Sequence, residues 1–422
     1  MEKIKKIIFS STLKNTSVLL LGNVVTSVLA IIFTLFTARG LEPAGWGIVA
    51  AAISVITIGE AIGDLGLTSS LYHFVTRNIA KGKKRTAQNF KQALFWIRLA
   101  SVSLILLIFT LFAPLISPLL FKESDWFLSF SSGLGIAAYL LLEFQTTIFQ
   151  AEHKWKLAAS FIAFVNLIRL IGVLALYFSS KLTIGTSLWM CSLAPLITLG
   201  LTLYWEPIRF TSVKNWQKVV KSVFRFSGWL GLNRAAGATA ARLDILIILS
   251  LVGAYEAGLF SAAKQLAVGV PMIIGSIAAV LAPRFSTLTE KSLLDYFKKT
   301  IFLSLGLSFG ILLGIFISPF VISLFGPKYQ ESTLILQWLL VGFIPFAIAT
   351  PAVNLLIYAF HKPKIIGLLS LFQIPIVWAL NVFLIPQIGA WGAVVVHIIW
   401  NLSTLIVAYL FVGYYLSKWK KH

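Results

Sequence analysis

The sequence predicts an all-α integral membrane protein, with twelve transmembrane helices in two pseudo-symmetric six-helix bundles around a central cavity. Three observations carry this reading: long apolar runs at regular intervals, basic residues concentrated in every second connection, and a short Gly/Ala motif that recurs half a chain apart. Hydrophobic residues make up 58% of the chain and charged ones 12%. Ordinary soluble domains hold roughly 45–50% apolar residues, so the excess here calls for a lipid solvent.

A helix needs roughly 20 mostly apolar residues to cross the hydrocarbon core. Twelve stretches meet that need: 17–38, 46–70, 92–116, 126–150, 157–179, 185–205, 226–250, 255–282, 300–325, 333–359, 365–385 and 390–416. They divide into an amino-terminal bundle, 1–213, and a carboxyl-terminal bundle, 214–422. Lys3, Lys5, Lys6 and Lys14 precede the first span like the basic start of a signal peptide. The apolar stretch that follows is too long for one and shows no small-residue cleavage site, which makes it a retained helix. The single cysteine, Cys191, lies within span six, so one chain offers no disulfide and no Cys-based metal site. Neither a metal nor a cofactor is expected.

A formal charge of +21 invites a nucleic-acid partner, but its distribution argues against one. Of the 35 Lys and Arg, 26 lie at the two ends and in the connections near 77–91, 151–156, 206–225, 284–299 and 360–364. The opposite connections hold only Arg39, Lys122, Lys181 and Lys328. This alternation is the positive-inside pattern, which places both termini in the cytoplasm. It also checks the span count, since a missed helix would scramble it. The densest stretches are Arg77–Lys91, Val213–Arg225 and the tail Lys418, Lys420 and Lys421. Val213–Arg225 suits either an interfacial helix on anionic membrane lipid or a plain topology determinant.

Gly40-Leu41-Glu42-Pro43-Ala44-Gly45 follows the first span, and Gly253-Ala254-Tyr255-Glu256-Ala257-Gly258 follows the seventh. Gly, Ala and Gly stay in register, and Ala50 matches Ala263. Glycine suits a tight helix–helix turn because it accepts left-handed backbone. Internal repeats with a cleft at their interface are a recurrent design of secondary transporters. No connection is long enough to fold as a separate domain. Trp46, Trp126, Trp205, Trp391 and Trp419 stand near span ends, as a headgroup belt does; sugar stacking is the other use of such rings. Pro195, Pro271, Pro345, Pro351 and Pro375 interrupt spans, as hinges or as static kinks.

Charges inside spans are the functional signal. Arg98, Arg169, Arg234, Arg242 and Lys264 fall there with Glu60, Asp64, Glu143 and Asp244. At roughly 2.5–3.5 kcal/mol each, nine charges facing lipid would cost about 25 kcal/mol, so they face protein or water. Arg98, Glu60, Asp64 and Glu143 share the cytoplasmic third, where a pair between Arg98 and one of the acids is expected. In span seven, seven consecutive small residues, Ala235–Ala241, separate Arg234 from Arg242. Such a surface gains little from lipid and permits either close packing or a wide cavity. One face about 160° wide holds Arg234, Arg242 and Asp244. Ordered by depth, Arg284, Arg234, Lys264 and Arg242 form a cationic ladder suited to phosphate, with Arg169 also near mid-depth. None of these charges follows the repeat: Arg234, Arg242 and Lys264 align with Leu21, Leu29 and Ala51.

The two repeated turns, Asp64-Leu65-Gly66-Leu67 in span two and Pro283-Arg284-Phe285 closing span eight carry a resemblance along essentially the whole chain. The chain resembles the polysaccharide transporter branch of the multidrug/oligosaccharidyl-lipid/polysaccharide (MOP) exporter superfamily, the group of Wzx-type O-antigen flippases. The resemblance implies two six-helix bundles forming a V-shaped cavity that opens alternately to each side of the bacterial cytoplasmic (inner) membrane. It implies no catalysis, and a cargo of oligosaccharide on undecaprenyl diphosphate. Glycan assembly enzymes are the partners it suggests. In this reading Arg234, Arg242 and Lys264, with Arg169 and Arg284, bind the pyrophosphate. Glu60, Asp64, Glu143 and Asp244 are either ion-coupling groups or salt-bridge partners. A cation-coupled multidrug exporter of the same superfamily is the alternative, although span one lacks the acidic site expected of one. A membrane enzyme is disfavoured by scattered histidines and short external loops.

Overall fold

Where no water competes for backbone groups, an apolar chain must close its hydrogen bonds internally. This one does so as helices nearly throughout, and no strand occurs among the described residues. The structure, a computed structural model, describes residues 11–207, 213–286, 288 and 290–419. The expectations for Lys3, Lys5, Lys6, Lys420 and Lys421 fall outside them.

The helices are α1 (Ser11–Gly63), α2 (Leu67–Ala80), α3 (Lys84–Leu111), α4 (Ala113–Phe121), α5 (Trp126–Ala151), α6 (Trp155–Phe178) and α7 (Ile184–Trp205). There follow α8 (Trp216–Leu251), α9 (Ala254–Ala267), α10 (Gly269–Phe285), α11 (Glu290–Ser323), α12 (Ser332–Asn354), α13 (Pro363–Ile388) and α14 (Ala390–Trp419). Among the described residues, ten segments are long and apolar enough to cross a membrane. The first, Val24–Gly63, contains two crossings joined at a kink on Glu42. The 36-residue α8 adds one more although it is not apolar enough to stand among the ten. The sum is the expected twelve.

Two local expectations are corrected, at the first repeated turn and at span two. The left-handed turn of the first repeat falls on Glu42 (φ 60, ψ 174) ahead of Pro43, while in the second it falls on Gly253 (φ 134). Proline cannot continue a helix through its missing N–H and disfavours helical backbone before it, so Pro43 places the break. Within the basic stretch Val213–Arg225, residues from Trp216 onward form the opening of α8. Span two ends early, at Gly63, and restarts as α2 after Leu65 (φ 51) and Gly66 (φ 73). The prolines leave α7, α12 and α13 continuous, and a π-helical turn at Leu355–Ala359 follows Pro351.

Two compact units result: Met1–Leu41 with Ile48–Leu246, and Glu42–Gly47 with Ile247–His422. Packing groups α8 as far as Leu246 with the first unit. Val219 and Val223 join a buried cluster with Leu67, Leu71, Leu94 and Phe144. Asn89 Nδ2 donates to Lys214 O (2.9 Å), and Lys214 N donates to Asn89 Oδ1 (2.7 Å). In the second unit Phe285, Phe297, Leu355, Leu356 and Val412 form the corresponding core. There the two repeated turns meet: a methyl on Gly258 would stand 1.8 Å from Pro43 O, and one on Gly47 2.0 Å from Ala254 O.

Candidate functional site: a buried charge cluster

Asp64 owes its position to the break after α1. Its amide still closes the helix onto Glu60 O (2.9 Å), and the next two residues turn left-handed. That turn points its carboxylate at the start of α2, where Oδ1 accepts from Thr68 N (3.1 Å) and Thr68 Oγ1 (2.5 Å). A carboxylate at a helix N-terminus satisfies orphan donors and favours the dipole. Glu60, four residues earlier, shares its face.

Three other helices close around this pair. Arg98 on α3 donates through Nη2 to Asp64 Oδ1 (2.5 Å) and to Thr68 Oγ1 (3.0 Å). Its side chain is 0% exposed and that of Asp64 1%. Arg234 on α8 places Nη1 3.1 Å from Asp64 Oδ2, and Nη2 2.7 Å from Glu143 Oε1 and 3.6 Å from Glu60 Oε1. Three carboxylates therefore face two guanidiniums, a formal excess of one negative charge. Glu143 Oε2 and the Nε and Nη1 of Arg98 are buried without a hydrogen-bond partner in the structure, and Asp64 Oδ2 has only its ion pair with Arg234. A buried network with open valences is electrostatically expensive, and it is where a proton, an ion or water gains most.

The expected pair of Arg98 with an acid is present, and the acid is Asp64. Arg234, expected in a phosphate ladder, stands against Glu60, Asp64 and Glu143. Arg242 and Asp244 lie on the same helix about 12 Å further along, at roughly 1.5 Å per residue. Arg169 is held apart from that cluster, with its guanidinium 4.1 Å from the Phe33 ring centroid. It also donates to Tyr139 Oη (3.4 Å) and Cys191 Sγ (3.5 Å). Lys264 and Arg284 belong to the other compact unit, Lys264 with its Nζ 5.6 Å from the Phe260 ring centroid. Sequence reasoning missed Thr68, the hydroxyl that links Asp64 to Arg98. Its signal was the spacing Asp64-x-x-x-Thr68 across a Leu-Gly break, a side-chain cap for a restarting helix.

Fold and buried charges together define a multi-pass α-helical membrane protein with ionisable groups held among its helices. The chain belongs to the polysaccharide biosynthesis protein family, whose profile matches residues 12–289. A Shigella flexneri protein described as "Putative O-antigen transporter" is 25% identical over 421 residues, covering 95% of this chain and 96% of the relative. An uncharacterised membrane protein of Methanocaldococcus jannaschii is 23% identical over 423 residues, covering 94% and 97%. Among solved structures, an inward-facing MATE-family multidrug resistance transporter of the MOP superfamily superposes with a TM-score of 0.73 at 15% identity, covering 94% of this chain and 96% of that one. A MOP superfamily transporter from Pyrococcus furiosus superposes at 0.60 and 14% identity, covering 97% and 96%. The fold is that of the MOP exporters.

Proposed function

We propose that this chain is a flippase that carries an undecaprenyl-diphosphate-linked oligosaccharide from the cytoplasmic to the outer leaflet by alternating access. The observation that carries the reading is α8. It runs the length of a span, yet its middle offers only small side chains, and Arg234 and Arg242 at either side would be costly in lipid. A protein that moves a charged headgroup needs such a lining, and guanidinium forks match phosphate oxygens. Family membership and the O-antigen-related relative support this cargo over the organic cations of a multidrug exporter of the same superfamily. The basic connections support a placement with both termini on the cytoplasmic side of the inner membrane.

Arg242, Lys264, Arg169 and Arg284 are the proposed pyrophosphate ligands. Arg234 serves the same cargo only when it leaves its carboxylates. Glu60, Asp64 and Glu143 form the proposed coupling group: their one excess negative charge leaves room for one proton or monovalent cation, and loading it would loosen Arg234. Asp244 is a further acid on the same helix, two residues beyond Arg242. The experiment pairs complementation of a flippase-deficient strain with binding of undecaprenyl diphosphate to the purified chain. Arg242→Gln should abolish complementation and weaken binding by about 2–5 kcal/mol, with Arg242→Lys recovering part of both. Glu143→Gln should stop transport while leaving binding measurable. Full complementation by the double variant Arg242→Gln/Lys264→Gln overturns the reading.

A further inference from the structure

Leu67, Leu71 and Val75 of α2 are buried at every fourth position, beside a second face that carries Thr68 at its edge and then Tyr72 and His73. That face does not pack solidly. Together with Gln150 at the end of α5, Trp155 at the start of α6 and Phe226 of α8, it lines an open groove of about 630 Å³ in the first compact unit, with Arg77 also on its wall. The volume falls within the roughly 300–1,000 Å³ of small-ligand clefts. The aromatic walls come in pairs. The Tyr72 and Trp155 rings stand 6.2 Å apart at 55°, and His73 stacks on Phe226 at 4.4 Å and 21°. Tyr72 remains 38% exposed and Phe226 36%, so these rings have uncovered area to offer.

Ring faces beside hydroxyl and amide groups make a surface of mixed character. An acyl chain would offer nothing to the Gln150 amide or the Arg77 guanidinium, and a bare phosphate would make no use of four rings. A pyranose ring uses both, its C–H face on the aromatics and its hydroxyls on the polar edges. The groove's wall is also part of the charge cluster, because Thr68 Oγ1 bonds Asp64 (2.5 Å) and Arg98 (3.0 Å). It lies beside the basic end of α2, on the side that the positive-inside pattern assigns to the cytoplasm, where the cargo is loaded.

We propose that this groove is a glycan subsite that seats one sugar of the lipid-linked cargo before translocation; the proposal rests on the flippase reading above. It predicts that a sugar adds affinity to the lipid carrier through Tyr72 and Trp155. The test uses the full chain in nanodiscs with two probes, undecaprenyl diphosphate and undecaprenyl-diphosphate-linked N-acetylglucosamine. The wild-type chain should bind the glycosylated probe about tenfold tighter than the bare one. Trp155→Ala and Tyr72→Ala should erase that preference and leave affinity for the bare probe unchanged, while Trp155→Phe keeps most of it and shows that the site still folds. If the wild-type chain binds both probes equally, or if both alanine variants keep the preference, the subsite is overturned and the flippase reading stands. If the wild-type chain binds neither, both fall.

Discussion

Gly66 and Gly231 meet backbone to backbone: a methyl on Gly231 would stand 2.7 Å from Gly66 N, and one on Gly66 would stand 2.9 Å from Gly231 N. This contact joins the break after α1 to α8. It sets Arg234, less than one turn further along, beside Asp64. The pairing of charges in the site therefore depends on two residues that carry none.

Gly231→Ala should separate these helices and lower stability by about 1–3 kcal/mol, the usual cost of overpacking a filled site. Gly228→Ala, one turn earlier, meets nothing within 4 Å and is the matched control. Thermal denaturation of the solubilised protein reads both. Equal melting temperatures for the two variants would contradict the close approach.

Arg98→Met should cost about 3–5 kcal/mol, since it withdraws a fully buried cation from a buried carboxylate. Adding Asp64→Asn should return part of that loss, giving a coupling of roughly 0.5–3 kcal/mol in a double-mutant cycle of folded yield and melting. Strict additivity would show that the two charges do not sense each other.

Glu152, at the end of α5 and outside the spans, supplies a pH dependence. Burial raises its carboxyl, but hydrogen bonds from Lys154 and Lys91 outweigh burial and hold it at about 2. A folded value below the ordinary 4.5 means that the ionised form is stabilised by folding. That contribution, on the order of 1–3 kcal/mol, is complete above the unfolded value and is lost as pH falls from 4.5 toward 2. Melting of wild type and Glu152→Gln should differ at pH 6 and converge near pH 2. A gap that stays constant over that range would rule the ion pairs out as its source.

Cysteines placed at Lys122 or Lys181 should react with an impermeant thiol reagent from outside the cell, and cysteines at Lys84 or Lys218 should not. The native thiol, Cys191, is buried and gives little background. A reversed pattern would invert both the topology and the direction of transport.

By itself, the sequence determined the fold class, the twelve crossings and the pairing of Arg98 with an acid, because each is written along one coordinate. Apolar length sets a crossing, basic alternation sets its direction, and residue number sets depth in the membrane. Depth alone also suggested the ladder through Arg284, Arg234, Lys264 and Arg242, but depth says nothing about which acids stand beside Arg234. Which acids Arg234 meets depends on how α8 is rotated and which helices pass beside it. That was decided by Val219 and Val223 in the first unit's core and by Gly231 against Gly66. Only the tertiary structure gathered Glu60, Asp64, Glu143, Arg98 and Arg234 into one cluster and opened an aromatic groove at its wall. The physical reason is that a charge costs or stabilises according to its neighbours in space, and those neighbours come from four separate helices and the break after the first of them.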